Sequence, residues 1–186
     1  FIPKLKSLRY SNLITILFLI LYSSVSFYQF INKYNIGEYR MILVDKAVKD
    51  KDWDTVLSIT DDFFRKGNEN QLMFYFRNLA LYNKGILLDG LLKYNNRLGV
   101  KALYFPWRSD SRETEYGHYL YEELGYINEA HRWSFEAMVV WGQTAQHVTN
   151  LAKYNIVLGR NDIANKFINI LESTLFYKDI AENLRE

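Results

Sequence analysis

Two stretches of the sequence repeat the same spacing of small residues. Gly125 is followed five residues later by Ala130, and Gly159, 34 residues after Gly125, is followed five residues later by Ala164. Glycine tolerates the left-handed backbone conformation at which many helices end. A small side chain early in the next helix allows that helix to cross its neighbour closely. The spacing therefore predicts two helical hairpins of the same design, and its length is typical of paired-helix repeats.

The same pattern continues toward the amino terminus in weaker form. Counting back from Gly125 gives turn positions at Gly85 and Lys51, in steps of 40 and 34 residues. The residues five places later are Gly90 and Val56, which are again small or aliphatic. We therefore predict an all-α fold in which about four hairpins stack as a tetratricopeptide-like repeat domain.

The repeat domain is predicted to cover residues 38–186. In the second hairpin, Ile86–Asn96 is predicted to be the second helix, with Gly90 at a close helix crossing because glycine otherwise weakens a helix. The extra residues of the 40-residue step are placed in the loop Leu98–Glu113. The high aromatic content, 17%, is expected to pack between the helices.

A long uncharged segment precedes these repeats. Residues 10–32 contain no charged side chain, and about 20 residues of helix cross the apolar core of a bilayer. We predict a transmembrane helix there, a basic flank at 1–9 and a linker at 33–37. A cleaved secretory signal and a buried soluble helix remain the alternatives. Basic residues lie on both sides of the segment, so the excess of positive charge on cytoplasmic loops does not decide its orientation. We favour an orientation with the amino end in the cytoplasm. The repeats would then be periplasmic, at a bacterial inner membrane.

Four separated blocks carry a resemblance to a known family. They are Phe105–Trp107, Glu123–Met138, Asn155–Phe167 and Leu171–Ala181. Together they resemble an uncharacterised family of Bacteroidetes membrane proteins, in which several transmembrane helices precede a tetratricopeptide-like carboxyl region. The resemblance implies an envelope protein without an established activity and offers no catalytic residues. This chain has one apolar segment, so it is expected to be the tail of a multi-pass protein or a shortened relative.

The sequence predicts no catalytic site, no metal site and no cofactor. Cysteine is absent, which excludes disulfides and thiolate chemistry. The histidines, His118, His131 and His147, are 13 and 16 residues apart, whereas helical zinc motifs place two ligands close together on one face. His118 is instead expected to be a hydrogen-bonded residue where helices pair. Asp61 and Asp62 are neighbours on a helix and point about 100° apart, so they form no carboxylate pair.

The predicted binding surface is the groove lined by the first helix of each hairpin. In the third and fourth hairpins the groove-facing residues are Arg112, Glu115, Tyr119, Glu122, Gln146, Thr149 and Lys153. This mixture of charges favours a protein segment, and the two glutamates argue against an acidic peptide end. The net charge of +2 is too small to attract nucleic acid. Phe105, Trp107 and Arg108 are predicted to form a second contact with the partner. Alternatively, the aromatic side chains of this loop fill the gap between the second and third hairpins.

Two functions are consistent with these observations. The first is a non-catalytic, membrane-anchored scaffold that binds a protein partner, itself an envelope protein. The alternative is the carboxyl-terminal part, or an accessory subunit, of a multi-pass membrane enzyme such as a glycosyltransferase. Further apolar spans encoded upstream of Phe1 would favour the enzyme.

Overall fold

The computed structural model describes residues 3–33, 36–94, 98–106 and 111–186, and side chains from Asn12 onward except those of residues 32–36. The chain divides into two compact units, Phe1–Asp45 and Lys46–Glu186. Within the ranges described, every regular element is helical and no strand occurs, as the all-α prediction requires. The helices are α1 Pro3–Lys33, α2 Ile36–Lys49, α3 Trp53–Arg65, α4 Gln71–Asn83, α5 Leu87–Gly90, α6 Ser111–Tyr116, α7 His118–Glu123, α8 Ile127–Trp141, α9 Ala145–Val157, α10 Asn161–Glu172 and α11 Lys178–Asn183, with a 3-10 turn at Gly99–Ala102.

Helix α1 contains a segment that is long and apolar enough to cross a membrane. Asn12–Ile31 has a mean hydropathy of 1.8, and none of it is buried. The hydroxyls of Ser23 and Ser24 donate hydrogen bonds to the Ile20 carbonyl oxygen at 2.9 and 2.8 Å. These polar groups are therefore satisfied within the helix, which a lipid environment demands. A signal sequence meets the same criteria of length and composition. The side chains of the predicted basic flank, and residues 34–35 of the predicted linker, lie outside the described part of the chain.

The four predicted turn positions share one backbone geometry. The φ angles are 54° at Lys51, 71° at Gly85, 74° at Gly125 and 70° at Gly159. In each turn the next residue's N–H bonds the carbonyl five residues back, as in a Schellman motif. The bonds are Asp52 N to Ala47 O at 2.8 Å, Ile86 N to Leu81 O at 3.0 Å, Tyr126 N to Tyr121 O at 2.8 Å, and Arg160 N to Asn155 O at 2.8 Å. The predicted turns are confirmed.

The residues five places after the turns lie at close helix contacts. Val56, Ala130 and Ala164 are buried. A Cβ atom on Gly90 would come within 2.6 Å of Leu81 Cδ2, so the predicted close crossing is confirmed there too. The helix predicted for Ile86–Asn96 is wrong, because α5 ends at Gly90.

The early end of α5 involves a contact from another helix. The carbonyl oxygen of Gly90 accepts a hydrogen bond from Arg77 Nη1 at 2.9 Å, and glycine has a low helix propensity. Arg77 is buried, and its Nε donates to Asp61 Oδ1 at 2.9 Å. Asp62 instead pairs with Lys66 at 2.8 Å. The two neighbouring aspartates therefore bind different partners.

Aromatic side chains fill the space between the second and third hairpins. The Tyr75 and Phe105 ring centroids are 4.3 Å apart, and Phe105 also meets Trp133 edge-on. The Tyr75 hydroxyl donates to the Tyr116 carbonyl and accepts from the Leu120 N–H, both at 3.0 Å, which fixes α4 to α6 and α7. Phe105 is only 2% exposed. Its predicted role as a partner contact is therefore corrected to one of packing. Trp107 and Arg108 lie outside the described residues.

Gly117, between α6 and α7, is required by the same core. Its backbone is helical, with φ −60° and ψ −27°, and its N–H bonds the Glu113 carbonyl at 3.0 Å. A Cβ atom at this position would overlap the ring of Trp133. The glycine thus allows the tryptophan to lie against the backbone where the two short helices meet.

We predict that Gly117→Ala destabilises the fold. Alanine normally stabilises a helix relative to glycine by about 1 kcal/mol, but overpacking against Trp133 costs about 1–3 kcal/mol. The free energy of unfolding of the full chain in detergent, followed by circular dichroism in guanidinium, should fall. Adding Trp133→Leu to Gly117→Ala should cost less than the sum of the two single changes. Strict additivity of the two changes would contradict this account.

Candidate functional site

An open groove of about 420 Å³ lies within the unit Lys46–Glu186. Helices α7 and α9 form its sides, and the ends come from the α2–α3 turn and from the beginning of α11. The lining residues are Val48, Lys49, Lys51, Trp53, His118, Tyr119, Glu122, Glu123, Ala145, Gln146, Thr149, Asn150, Lys153, Tyr177 and Ile180. The predicted groove residues on this surface are Tyr119, Glu122, Gln146, Thr149 and Lys153. The structure therefore brings them together, while Arg112 and Glu115 lie elsewhere.

The polar side of the groove is one face of α9. Gln146, Thr149, Asn150 and Lys153 stand three or four residues apart, which places them on one side of a helix. The opposite side of α9 is apolar and packs in a core cluster with α10 and α11 that includes Val148 and Ala152. The core thus fixes α9 in orientation and leaves a row of amide, hydroxyl and ammonium groups facing the groove.

Glu115 does not line the groove as predicted, because its carboxylate contacts a buried side chain of the protein. Its Oε2 atom lies 2.8 Å from His147 Nε2, and His147 is 1% exposed. The other ring nitrogen, Nδ1, lies 3.0 Å from the Gly142 carbonyl oxygen. The carbonyl oxygen can only accept, so Nδ1 donates to it. An ionised Glu115 carboxylate also accepts, and both ring nitrogens then donate from a protonated ring. Glu115 is therefore an internal partner, and its predicted place on the binding surface is corrected.

The pKa shifts of this pair agree with that assignment. Burial alone would raise the pKa of Glu115, but the hydrogen bond and charge of His147 outweigh burial and lower it. Burial alone would lower the pKa of His147, but the Glu115 and Gly142 contacts outweigh burial and raise it. Each partner thus favours the charged form of the other.

A second polar network forms the floor of the groove. Asn150 Nδ2 lies 3.3 Å from His118 Nε2, and His118 Nδ1 lies 3.3 Å from the Tyr154 hydroxyl. That hydroxyl donates to Glu122 Oε2 at 2.7 Å. One assignment satisfies every group: Asn150 donates to His118, His118 donates to Tyr154, and Tyr154 donates to the carboxylate. His118 is 2% exposed and hydrogen-bonded, which confirms its predicted structural role.

Proton positions along this network follow from burial and charge. Burial would raise the pKa of Glu122, but the contacts with His118 and Tyr154 and the nearby charge of Lys153 lower it overall. Burial, followed by the charge of Glu122, strongly raises the pKa of Tyr154. The carboxyl group is therefore ionised at neutral pH and the phenol keeps its proton. Each hydrogen bond of the network is donated in the direction from Asn150 to Glu122, and the network can hold these side chains in a fixed orientation.

Several groove residues were missed by sequence analysis. Asn150 lies one helical turn from Gln146, so helical spacing alone could have found it. Lys51 comes from a turn and pairs with Glu123 at 3.3 Å. Trp53 and Tyr177 come from the first hairpin and from the carboxyl-terminal segment. No local pattern marks these last residues, because only the stacked arrangement brings them to the same groove.

These features define a class: an all-α chain in which an apolar amino-terminal helix is followed by helical hairpins that enclose a groove. The chain belongs to a family of unknown function, DUF6057, whose model matches residues 2–186. The expected membership of an uncharacterised family is thereby confirmed. No curated protein matches the sequence.

We predict that the Glu115–His147 pair makes stability depend on pH. The contribution of His147 is complete below its usual pKa of about 6.5 and is lost as pH rises through its raised folded pKa. The contribution of Glu115 is complete above its usual pKa of about 4.5 and is lost as pH falls through its lowered folded pKa. The stability difference between the natural chain and His147→Gln should therefore be largest near pH 6 and should shrink toward about pH 9.

His131 provides the matched control for this measurement. Burial and then the charge of Arg160 lower its pKa, so its contribution is lost as pH falls, which is the opposite slope. Denaturant unfolding across pH, with His131→Gln beside His147→Gln, measures both. A stability difference for His147→Gln that does not vary between about pH 6 and about pH 9 would show that the His147 ring is not charged.

We predict that Tyr154→Phe destabilises the fold by about 1–3 kcal/mol, because it removes the donor to Glu122 and the acceptor from His118 at a buried site. Tyr126→Phe is the control, since Tyr126 is 63% exposed and surface changes stay within about 0.5 kcal/mol. Denaturant unfolding of both variants gives the comparison. Equal stability of the two variants would mean that the floor network does not contribute.

Proposed function

We propose that this protein is a membrane-anchored, non-catalytic helical scaffold whose groove holds a segment of a partner protein. The observation that carries the proposal is the convergence of Tyr119, Glu122 and the polar face of α9 on one open groove. The surrounding turns repeat one geometry, which supports a tetratricopeptide-like arrangement. In such repeats the inner helices supply the surface that binds other proteins.

The composition of the groove supports a protein segment as its occupant. Aromatic rings from Trp53, Tyr119 and Tyr177 lie beside the amides of Gln146 and Asn150. Aromatic residues are enriched at protein interfaces, where they supply most of the binding energy. Side-chain amides both donate and accept, so they suit the N–H and C=O groups of a peptide backbone. The opening at the surface leaves room for a chain to pass through.

The apolar segment of α1 supports an envelope location for this scaffold. We propose that Asn12–Ile31 anchors the chain in a bacterial inner membrane, with the repeats on the periplasmic side. The partner is then another envelope protein that shares the same membrane. Confinement to one surface raises the effective concentration of the partner, so individually weak contacts suffice for a stable complex.

We predict that partner capture depends on the groove. In the variant Thr149→Cys, the new thiol would carry a photoreactive label, and the position is unique because the sequence has no cysteine. The full chain would be purified with its membrane after photo-crosslinking. The double variant Tyr119→Ala with Lys153→Glu should reduce the crosslinked partner at least about tenfold, since it removes one aromatic contact and reverses one charge.

Lys166→Glu is the matched control, because Lys166 is an exposed residue of α10 outside the groove. It makes the same charge change and should leave the crosslinked species unaltered. A chain that forms no crosslinked partner would contradict the scaffold function. So would a partner whose yield does not respond to the double variant.

A further inference from the structure

The charges of the groove differ from those that the sequence suggests. Three of the lining residues are lysines, Lys49, Lys51 and Lys153, and two are glutamates, Glu122 and Glu123. Glu115, which would have balanced the count, lies outside the lining residues in its ion pair with His147. The groove itself therefore has an excess of positive charge.

Both glutamates of the groove already have donors. Glu122 accepts the Tyr154 hydroxyl at 2.7 Å through Oε2, and its charge is further stabilised by His118 and Lys153. Glu123 pairs with Lys51 at 3.3 Å. Both carboxylates are therefore partly engaged by groups of the chain itself. This weakens the reason for excluding an acidic occupant.

Lys153 is the cation best placed for such an occupant. Its side chain is exposed at the end of the polar face of α9. Within the described part of the chain, its ammonium group lies within salt-bridge distance of no carboxylate. It therefore offers its charge to the groove without first breaking a short ion pair.

The other residues of the α9 face determine where an acidic group of the occupant would lie. Asn150 directs its amide nitrogen toward His118, and Gln146 directs its own toward the Tyr119 hydroxyl at 3.3 Å. Their carbonyl oxygens remain to accept N–H groups from an occupant. Gln146 and Lys153 are seven residues apart, about 10 Å along a helix. An extended chain covers that distance in about three residues.

We propose that the groove binds an extended, acidic peptide segment. The carbonyl oxygens of Gln146 and Asn150 accept backbone N–H groups of this segment. Lys153 receives an Asp or Glu side chain about three residues further along. This inference rests on the proposed function and specifies the chemistry of the partner. The acidic side chain supplies charge complementarity, and the aromatic residues of the groove contact its neighbours.

The test uses the full chain in nanodiscs of neutral phosphatidylcholine and dye-labelled tetrapeptide libraries. Both ends of each peptide are capped, so a side chain carries the only carboxylate. Three libraries differ in one fixed residue, which is Glu, Gln or Lys, and the other positions vary among Ala, Ser, Leu and Tyr. Fluorescence anisotropy should show the Glu library binding at least about fivefold tighter than the Gln library, and added salt should reduce the difference.

Charge reversal then assigns the contact. Lys153→Glu should abolish the preference for the Glu library and favour the Lys library, whereas Lys153→Met should leave no charge preference. Lys166→Glu should behave as the natural chain does. Unchanged circular dichroism would show that the variants remain folded.

Three outcomes would overturn the inference: equal binding of the three libraries, no binding of the Glu library at millimolar concentration, or a Glu preference that survives Lys153→Glu. The scaffold function would still stand in those cases if crosslinking captures a partner that depends on Tyr119 and Lys153. Loss of that capture as well would reject both proposals.

Discussion

The fold depends on a backbone turn that reverses the chain with one residue at positive φ. Three of the turns described here use glycine, for which this conformation is easily accessible. The first uses Lys51, where a side chain makes the conformation cost about 1–2 kcal/mol. Asp52 offsets part of this cost, because its carboxylate caps α3 by accepting from the Thr55 N–H at 3.1 Å and hydroxyl at 2.6 Å. The helices after the glycine turns begin without such a cap.

Features that depend on residues close together along the chain were predictable from the sequence. The turns and the small residues five places later could be predicted because both requirements are local to the chain. The end of α5 could not, because it involves Arg77, which reaches Gly90 from another helix. The same holds for Gly117, whose need for glycine is apparent only once Trp133 is in place. A local pattern fixes where hairpins turn, whereas contacts between helices decide where irregular segments end.

The candidate site shows the same division. Helical spacing placed Tyr119, Gln146 and Lys153 on one surface, because they follow the period of their own helices. The spacing could not tell which carboxylates face outward and which are bound internally. Glu115 meets His147 from 32 residues away, so its neutralisation depends on the stacking of two hairpins. Sequence analysis therefore found five of the fifteen residues that line the groove, and it could not assign the internal partners of the carboxylates.

The carboxyl-terminal helix has two tasks that the sequence does not separate. Ala181 of α11 joins the buried cluster that includes Val148 and Ala152 of α9. Tyr177, immediately before α11, and Ile180 within it line the groove. The segment that packs against α9 and α10 thus also forms one end of the groove. Because the two roles fall on neighbouring residues, we expect a substitution in α11 that disturbs the buried cluster to alter this end of the groove as well.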